Sequence, residues 1–326
     1  MGRFLKEILL TALTALCTAA CVHEYPENGG EDPTRIETTI RLTTCPEFTH
    51  SSFIGSRNEA EYIYFIVEIY KDDYTGKPVI RKEVGADRNF DASATLEFTE
   101  FLNAGNYKVV AWAVCADEAD GSGKLFSTDD LSNIGYLDAY RGSDDRKECY
   151  EVRFDMPISS NDWYSRQTYD RNMYCPMGSV EVISTDVNEF FRRVAALRSD
   201  ATWEDYIIKW MYGMYFPVGY NVYTGRPNKA ETQVGFVSDI TQQNENEASL
   251  GFDYIFVNGE ESQVTLTLLL YDRKTEKLLN VYADIPVHLR RGKTTIIRGE
   301  YLTNRKDSGA VIDPDFEGDI DIVLPD

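Results

Sequence analysis

The sequence predicts an all-β protein of two tandem β-sandwiches, with one helix in the second half. Three observations carry this expectation. The chain of 326 residues holds 21 Tyr and 16 Phe, residue types that suit the half-buried pleated surface of strands. Strand-length segments that alternate or run apolar recur along it, separated by Gly, Asn and Asp turn chemistry. Only one segment places its apolar residues at helical spacing.

The polar stretch from Val22 to Pro33, with Pro26, Gly29, Gly30 and Pro33, reads as a flexible tether. Ordered structure is expected to begin at Ile36, where IETTIRL forms a first strand. Tyr62 to Tyr70 (YIYFIVEIY) is aromatic or β-branched at both parities, which suits a central strand covered on both faces. Turn residues Asp72 to Gly76 then return the chain through Val79 to Val84. Thr95 to Leu102, the turn Asn103-Ala-Gly-Asn106 and Tyr107 to Cys115 make a hairpin. Residues 124–142 read as loop and short turns, and Tyr150 to Met156 closes a first sandwich over 36–157. Polar residues over 158–173 read as a linker.

A second sandwich is expected over 174–326. Ser179 to Ser184 opens it, and a helix is expected near 186–198, with Thr185 as N-cap and Phe190, Phe191, Val194 and Leu197 on its apolar face. The stretch from Glu204 to Tyr223 is dense in rings: Tyr206, Trp210, Tyr212, Tyr215, Phe216, Tyr220 and Tyr223. These are read as core, with a carbohydrate-stacking platform as the alternative. Gly251 to Val257, Ser262 to Asp272, Lys277 to Leu289, Thr294 to Tyr301 and Gly318 to Leu324 supply the last strands.

The formal net charge is −21, which argues against nucleic acid and flat docking on anionic lipid as partners. Only 3 His are present, which thins the options for acid–base and metal chemistry. Beyond Cys17 and Cys21 stand Cys45, Cys115, Cys149 and Cys175. No C-x-x-C pair occurs, and four cysteines leave three disulfide pairings open beside buried free thiols.

Arg3 and Lys6 precede the apolar run Ile8 to Ala20, which has the length of a signal peptide and is too short to span a membrane. Thr18-Ala-Ala-Cys21 resembles the lipobox of bacterial lipoproteins, with Thr18 where an aliphatic residue is usual. The resemblance implies removal of residues 1–20, a lipid anchor on Cys21 and a tether over 21–35. Without residues 1–20, in which Arg3 and Lys6 oppose Glu7, the net charge is −22.

A wider resemblance follows from several segments. In the first half these are Leu102-Asn-Ala-Gly-Asn-Tyr-Lys-Val-Val-Ala-Trp-Ala and Asp129-Asp-Leu-Ser-Asn-Ile. In the second they are Ser179-Val-Glu-Val-Ile-Ser-Thr-Asp-Val, Tyr215-Phe-Pro-Val-Gly-Tyr-Asn-Val-Tyr-Thr-Gly, the segment from Ile285 to Thr303 and Ile312-Asp-Pro-Asp-Phe-Glu-Gly-Asp-Ile. Together they resemble the fimbrillin-like (Mfa-like, FimA-like) surface lipoproteins of Bacteroidetes, which include subunits and anchors of type V pili. What the resemblance implies is two transthyretin-like β-sandwiches, an outer-membrane lipid anchor, and other fimbrial subunits or surface proteins as partners.

In that family an Arg-specific cut frees the first strand, and the vacated groove accepts a strand from a neighbouring subunit. Carried onto this sequence, the cleavage candidates are Arg35, Arg41 and Arg57, of which Arg57 lies beyond the whole strand. The candidate donor or final edge strand is 318–324, with Ile320, Ile322 and Leu324 on one face. No H-E-x-x-H, G-x-S-x-G or S-x-x-K occurs, so no catalytic residues, metal site or cofactor beyond the Cys21 lipid are expected. Carboxylates from Asp313 to Asp321 open like a calcium loop, but the twelfth position is Leu324. The alternative function is a monomeric surface lipoprotein that binds glycan or host protein through exposed members of the 206–223 rings.

Overall fold

The computed structural model describes residues 35–48, 61–89, 92–162, 165–195, 198, 200–304 and 320–323. In chain order the first half runs β1 (Ile36–Thr44), β2 (Tyr62–Lys71), β3 (Ile80–Asp87), β4 (Thr95–Leu102), β5 (Gly105–Ala116), the short β6 (Phe126–Ser127) and β7 (Ile134–Tyr136), and β8 (Cys149–Ile158). Next come β9 (Gln167–Met173), β10 (Met177–Ser184) and the helix α1 (Val187–Ala195). The second half continues with β11 (Tyr206–Tyr212), β12 (Phe216–Asn221), β13 (Arg226–Glu231), β14 (Gly235–Asp239), β15 (Thr241–Gln242) and β16 (Ala248–Phe256). It ends with β17 (Glu261–Asp272), β18 (Leu278–Arg290), β19 (Thr294–Gly299) and β20 (Ile320–Val323).

Two sheets make the first sandwich, β4-β1-β9 and β3-β2-β5-β8, and two make the second, β15-β16-β10-β19-β20 and β14-β11-β17-β18. The sequence expectation of an all-β chain with a helix in its second half is met. Residues 63–70 of β2 are all buried, because the strand is paired on both sides and covered on both faces. On one of those faces Tyr64 lies beneath Gly121, and Glu68 and Tyr70 meet Tyr223 from the second half. The expected hairpin from β4 to β5 does not form: β4 pairs with β1, and β5 with β2 and β8. The turn at Asn103–Asn106 therefore carries the chain from one sheet to the other, with Gly105 in extended backbone at φ +159°.

Three further details differ from the sequence reading. First, the segment 158–173, expected to be a linker, contains β9, which runs parallel to β1 from Thr38↔Gln167 to Thr44↔Met173. Its alternation was masked by polar residues because one face of this edge strand is exposed. Second, residues 124–142 contribute β6 and β7, which join β12 and β13 in a fifth sheet, β13-β12-β7-β6. This sheet is built from both halves of the chain. Third, Thr185 is not the N-cap, because its N–H donates to Gly299 across the sheet. Asp186 takes that place, its carbonyl accepting from Phe190 N at 2.9 Å. Its carboxylate turns away from the helix and accepts from the N–H and hydroxyl of Thr303, both at 2.7 Å. The helix packs Phe190 and Phe191 on Trp203, with centroids 5.9 and 4.4 Å away.

The core around β2 and β5 also takes in Tyr220, Val222, Phe252, Tyr254 and Phe256 from the second half. Trp112 of β5 stacks on Tyr220 at 5.7 Å. Beneath these rings lies a seam of buried charge. Lys147 and Asp253 are both fully enclosed and form an ion pair. The Oδ2 atom of Asp253 accepts from Tyr140 at 2.5 Å and Tyr212 at 2.6 Å, and its Oδ1 accepts from Tyr254 N at 2.8 Å. Burial pushes the Lys147 ammonium pKa down and the Tyr140 and Tyr212 hydroxyls well up. A second cluster ties Glu151 of β8 to Arg291, Arg153 and Tyr220, the Arg153 contact at 3.1 Å and the Tyr220 contact at 2.9 Å.

Removing one partner of a buried pair strands a charge and costs about 3–5 kcal/mol. Lys147→Met is therefore expected to lower the urea midpoint of both halves together. Fluorescence and far-UV circular dichroism should trace one coincident transition, because Trp112 and Trp210 lie in cores joined by this seam. Adding Asp253→Leu should recover part of the loss. Two separated transitions in the wild-type chain would contradict a shared core.

Candidate strand-exchange site

The first strand occupies a slot rather than an edge. β1 pairs antiparallel with β4, from Ile36↔Leu102 to Thr43↔Thr95, and parallel with β9 on its other side. The alternation of IETTIRLTT sends Ile36, Thr38, Ile40, Leu42 and Thr44 inward, none more than 1% exposed. Burying Ile36, Ile40 and Leu42 contributes about 2 kcal/mol each, and the ladders on both sides satisfy the main-chain polar groups. Removing β1 would therefore open a groove with alternating pockets and two unpaired strand edges.

The outer face of the slot is polar and paired. Thr39 and Thr99 hydroxyls lie 2.9 Å apart, and those of Thr43 and Thr95 lie 3.1 Å apart. Arg41 reaches Glu97 at 2.6 Å and Asp170 at 3.3 Å. Its hydrogen bond with Glu97, followed by the charge of that residue, raises the Arg41 pKa. Glu37 holds Arg166 at 2.8 Å. These exposed pairs add little stability each, so β1 is held mainly by its ladders and inward side chains.

The three arginine candidates stand in different situations. Arg35 is exposed, one residue before β1. Arg41 lies mid-ladder with both flanks of its backbone occupied, so cleavage there requires β1 to have left its slot. Arg57 lies outside the described residues, as do Cys21 and Leu324. Ile320 and Ile322 fall in β20, whose backbone pairs parallel with β19 from Thr295↔Ile320 to Arg298↔Val323 as the outermost strand of its sheet.

Of the rings between 206 and 223, Tyr206, Trp210, Tyr212, Phe216 and Tyr220 are core. Tyr223 is half-buried, donating to Glu68 and sharing a 2.9 Å hydrogen bond with Tyr70. Tyr215 alone is largely exposed, at 76%. Sequence reasoning missed the charged seam. Its one sequence signal is an acidic residue inside an apolar strand, Asp253 in GFDYIFV and Glu68 in YIYFIVEIY. Cys115, Cys149 and Cys175 are buried free thiols and Cys45 is half-buried. Burial pushes the Cys149 pKa well up. Among the described residues no cluster of His, Cys, Asp and Glu forms a metal site, and no helix is long and apolar enough to cross a membrane.

A family model described as a family of unknown function (DUF6562) matches residues 26–325. The chain belongs to that family. No curated protein matches it. Among solved structures it is similar to a candidate cell-adhesion protein from Bacteroides ovatus at 12% identity and a TM-score of 0.44, covering 90% of this chain and 96% of that one. It is also similar to the fimbrial anchor protein Mfa2 from Porphyromonas gingivalis at 10% identity and a TM-score of 0.40, covering 76% of this chain and 82% of that one. A candidate adhesin from Bacteroides ovatus matches at 12% identity and a TM-score of 0.43, covering 76% of each chain. These names fall within the fimbrial and adhesin group that the sequence resembles, and likeness of this degree does not bear on role.

Limited digestion with an Arg-specific protease is expected to cut the folded chain after Arg35 and to spare Arg41. A fragment beginning at Leu42 should appear only where denaturant releases β1, since cleavage follows the open population. A Leu42 fragment formed as fast as the Arg35 cut would mean that β1 is not held in its slot.

Proposed function

We propose that this chain is a non-catalytic cell-surface lipoprotein that acts in a fimbria-like adhesive assembly as subunit, anchor or accessory component, joined to its neighbours by β-strand complementation. The observation that carries the reading is the seat of β1, a complete strand with alternating buried side chains between two partners and a chain of its own beyond each end. Such a strand can be replaced by another of the same pattern without rebuilding the sandwich.

The C-terminal segment has the matching pattern. Ile320, Ile322 and Leu324 repeat at every second position, as Ile40 and Leu42 do in β1. It also lies at a sheet edge, held on one side only by β19, so its release breaks one ladder where the release of β1 breaks two. A cut after Arg57 would separate β1 from β2 and free it to leave. A cut after Arg35 would remove the tether and leave β1 in place. The lipobox resemblance supports anchoring at Cys21 in the outer membrane, and the net charge of −21 supports a solvated, protein-facing surface over one laid on anionic lipid.

The N-terminus of the native protein, determined by mass spectrometry in envelope and sheared-filament fractions, tests this reading. A filament form beginning at Asn58 is the result expected of a strand-exchanging subunit. A lipid-modified Cys21 in the envelope alone is the result expected of an anchor. A chain with neither lipid nor cleavage, absent from both fractions, would overturn the proposal.

A further inference from the structure

A second feature lies in the other sandwich, at the turn between β11 and β12. Tyr212 and Phe216 stack at 4.0 Å with 18° between their planes, pinning the ends of a three-residue turn. Gly213 N donates to Thr265 O at 2.8 Å and holds the turn against β17. Within it Tyr215 takes φ +65°, a left-handed conformation costly for a residue with a bulky side chain. The result is that Met214 and Tyr215 stand 75% and 76% exposed, more than any other large apolar or aromatic side chain among the described residues. A core ring would be paid for its backbone strain by burial, and this one is not.

Beside the turn is a hollow of about 330 Å³ lined by Gly213, Met214, Tyr215, Phe216 and the β17 residues Gln263, Val264 and Thr265. No lining residue is charged. Gln263 and Thr265 face outward, and their amide and hydroxyl have no protein partner among the described residues. The hollow thus joins a flat, rigid aromatic face to unpaired neutral donors and acceptors. That combination matches a ligand with an apolar C–H face and a rim of hydroxyls. It offers nothing to an ionised ligand.

We infer that this hollow is a binding site for a neutral carbohydrate, with one sugar ring stacked on Tyr215 and its hydroxyls hydrogen-bonded by Gln263 and Thr265. The site is independent of strand exchange, since it lies in the second sandwich and needs no removal of β1. Failure of one therefore leaves the other standing.

The test is titration of the full chain with maltohexaose, cellohexaose, mannohexaose and chitohexaose, followed by calorimetry and saturation-transfer NMR, with anionic hexagalacturonate alongside. At least one neutral oligosaccharide should bind saturably. Tyr215→Phe should keep that binding, and Tyr215→Gly should weaken it about tenfold or more, the loss of roughly one strong contact. Because glycine accepts a positive φ freely, Tyr215→Gly should leave the unfolding midpoint unharmed, which separates a lost site from a lost fold. No saturable binding of any neutral probe, equal binding by Tyr215→Gly, or preference for hexagalacturonate would overturn the inference.

Discussion

Asp253 is the constraint on which the arrangement of the two halves depends. A carboxylate with no exposure is tolerated only where donors replace the water it has lost. Here they come from both sides of the molecule: Lys147 and Tyr140 from the first half, Tyr212 and the Tyr254 amide from the second. Any rotation of one sandwich against the other would strip this carboxylate of part of its shell. The Glu151 cluster and the Glu68–Tyr223 contact repeat the device. Such pairs do not make a protein more stable than apolar packing would. Their role here is to define one relative placement, while the rings of Trp112, Tyr220 and Phe256 supply the burial.

That rigidity sits beside a strand of a different kind. β1 is held by ladders and by three apolar side chains, with no buried charge, and its inward threonines contribute little apolar area. The interactions that fix it are those any extended chain of the same alternation could make. A body stapled by specific pairs and closed by one generic strand is the physical form that strand exchange needs. If β1 were exchanged, as proposed, the seam would keep the remaining fold in register.

Much of this was legible in the residues. YIYFIVEIY declares a strand covered on both faces, the Asn103–Asn106 turn declares a chain reversal but not that its two strands belong to different sheets, and Phe190, Phe191 and Val194 declare the helix. Three things were not. β9 hides in QTYDRNM because an edge strand with one solvent face needs few apolar residues. The sheet shared by β6, β7, β12 and β13 is joined through the two- and three-residue strands β6 and β7 to a segment some 90 residues away, for which periodicity has no signal. The partner of Asp253 is 106 residues away, and only the oddity of an acid in an apolar strand hints that a partner exists. Likewise the 206–223 rings announce a core correctly, but only backbone geometry reveals that Tyr215 leaves it.

On the proposed reading of the chain as a strand-exchanging subunit, β1 has to leave its slot for assembly. Thr39 and Thr99 face each other across the β1–β4 ladder with hydroxyls 2.9 Å apart, and opposed positions of this kind lie within disulfide reach. The most direct measurement is the yield of sheared filaments from cells carrying Thr39→Cys and Thr99→Cys together. Under oxidising conditions the account predicts a folded chain that no longer enters filaments, with assembly restored by reductant. Filaments formed equally well with β1 locked to β4 would contradict it.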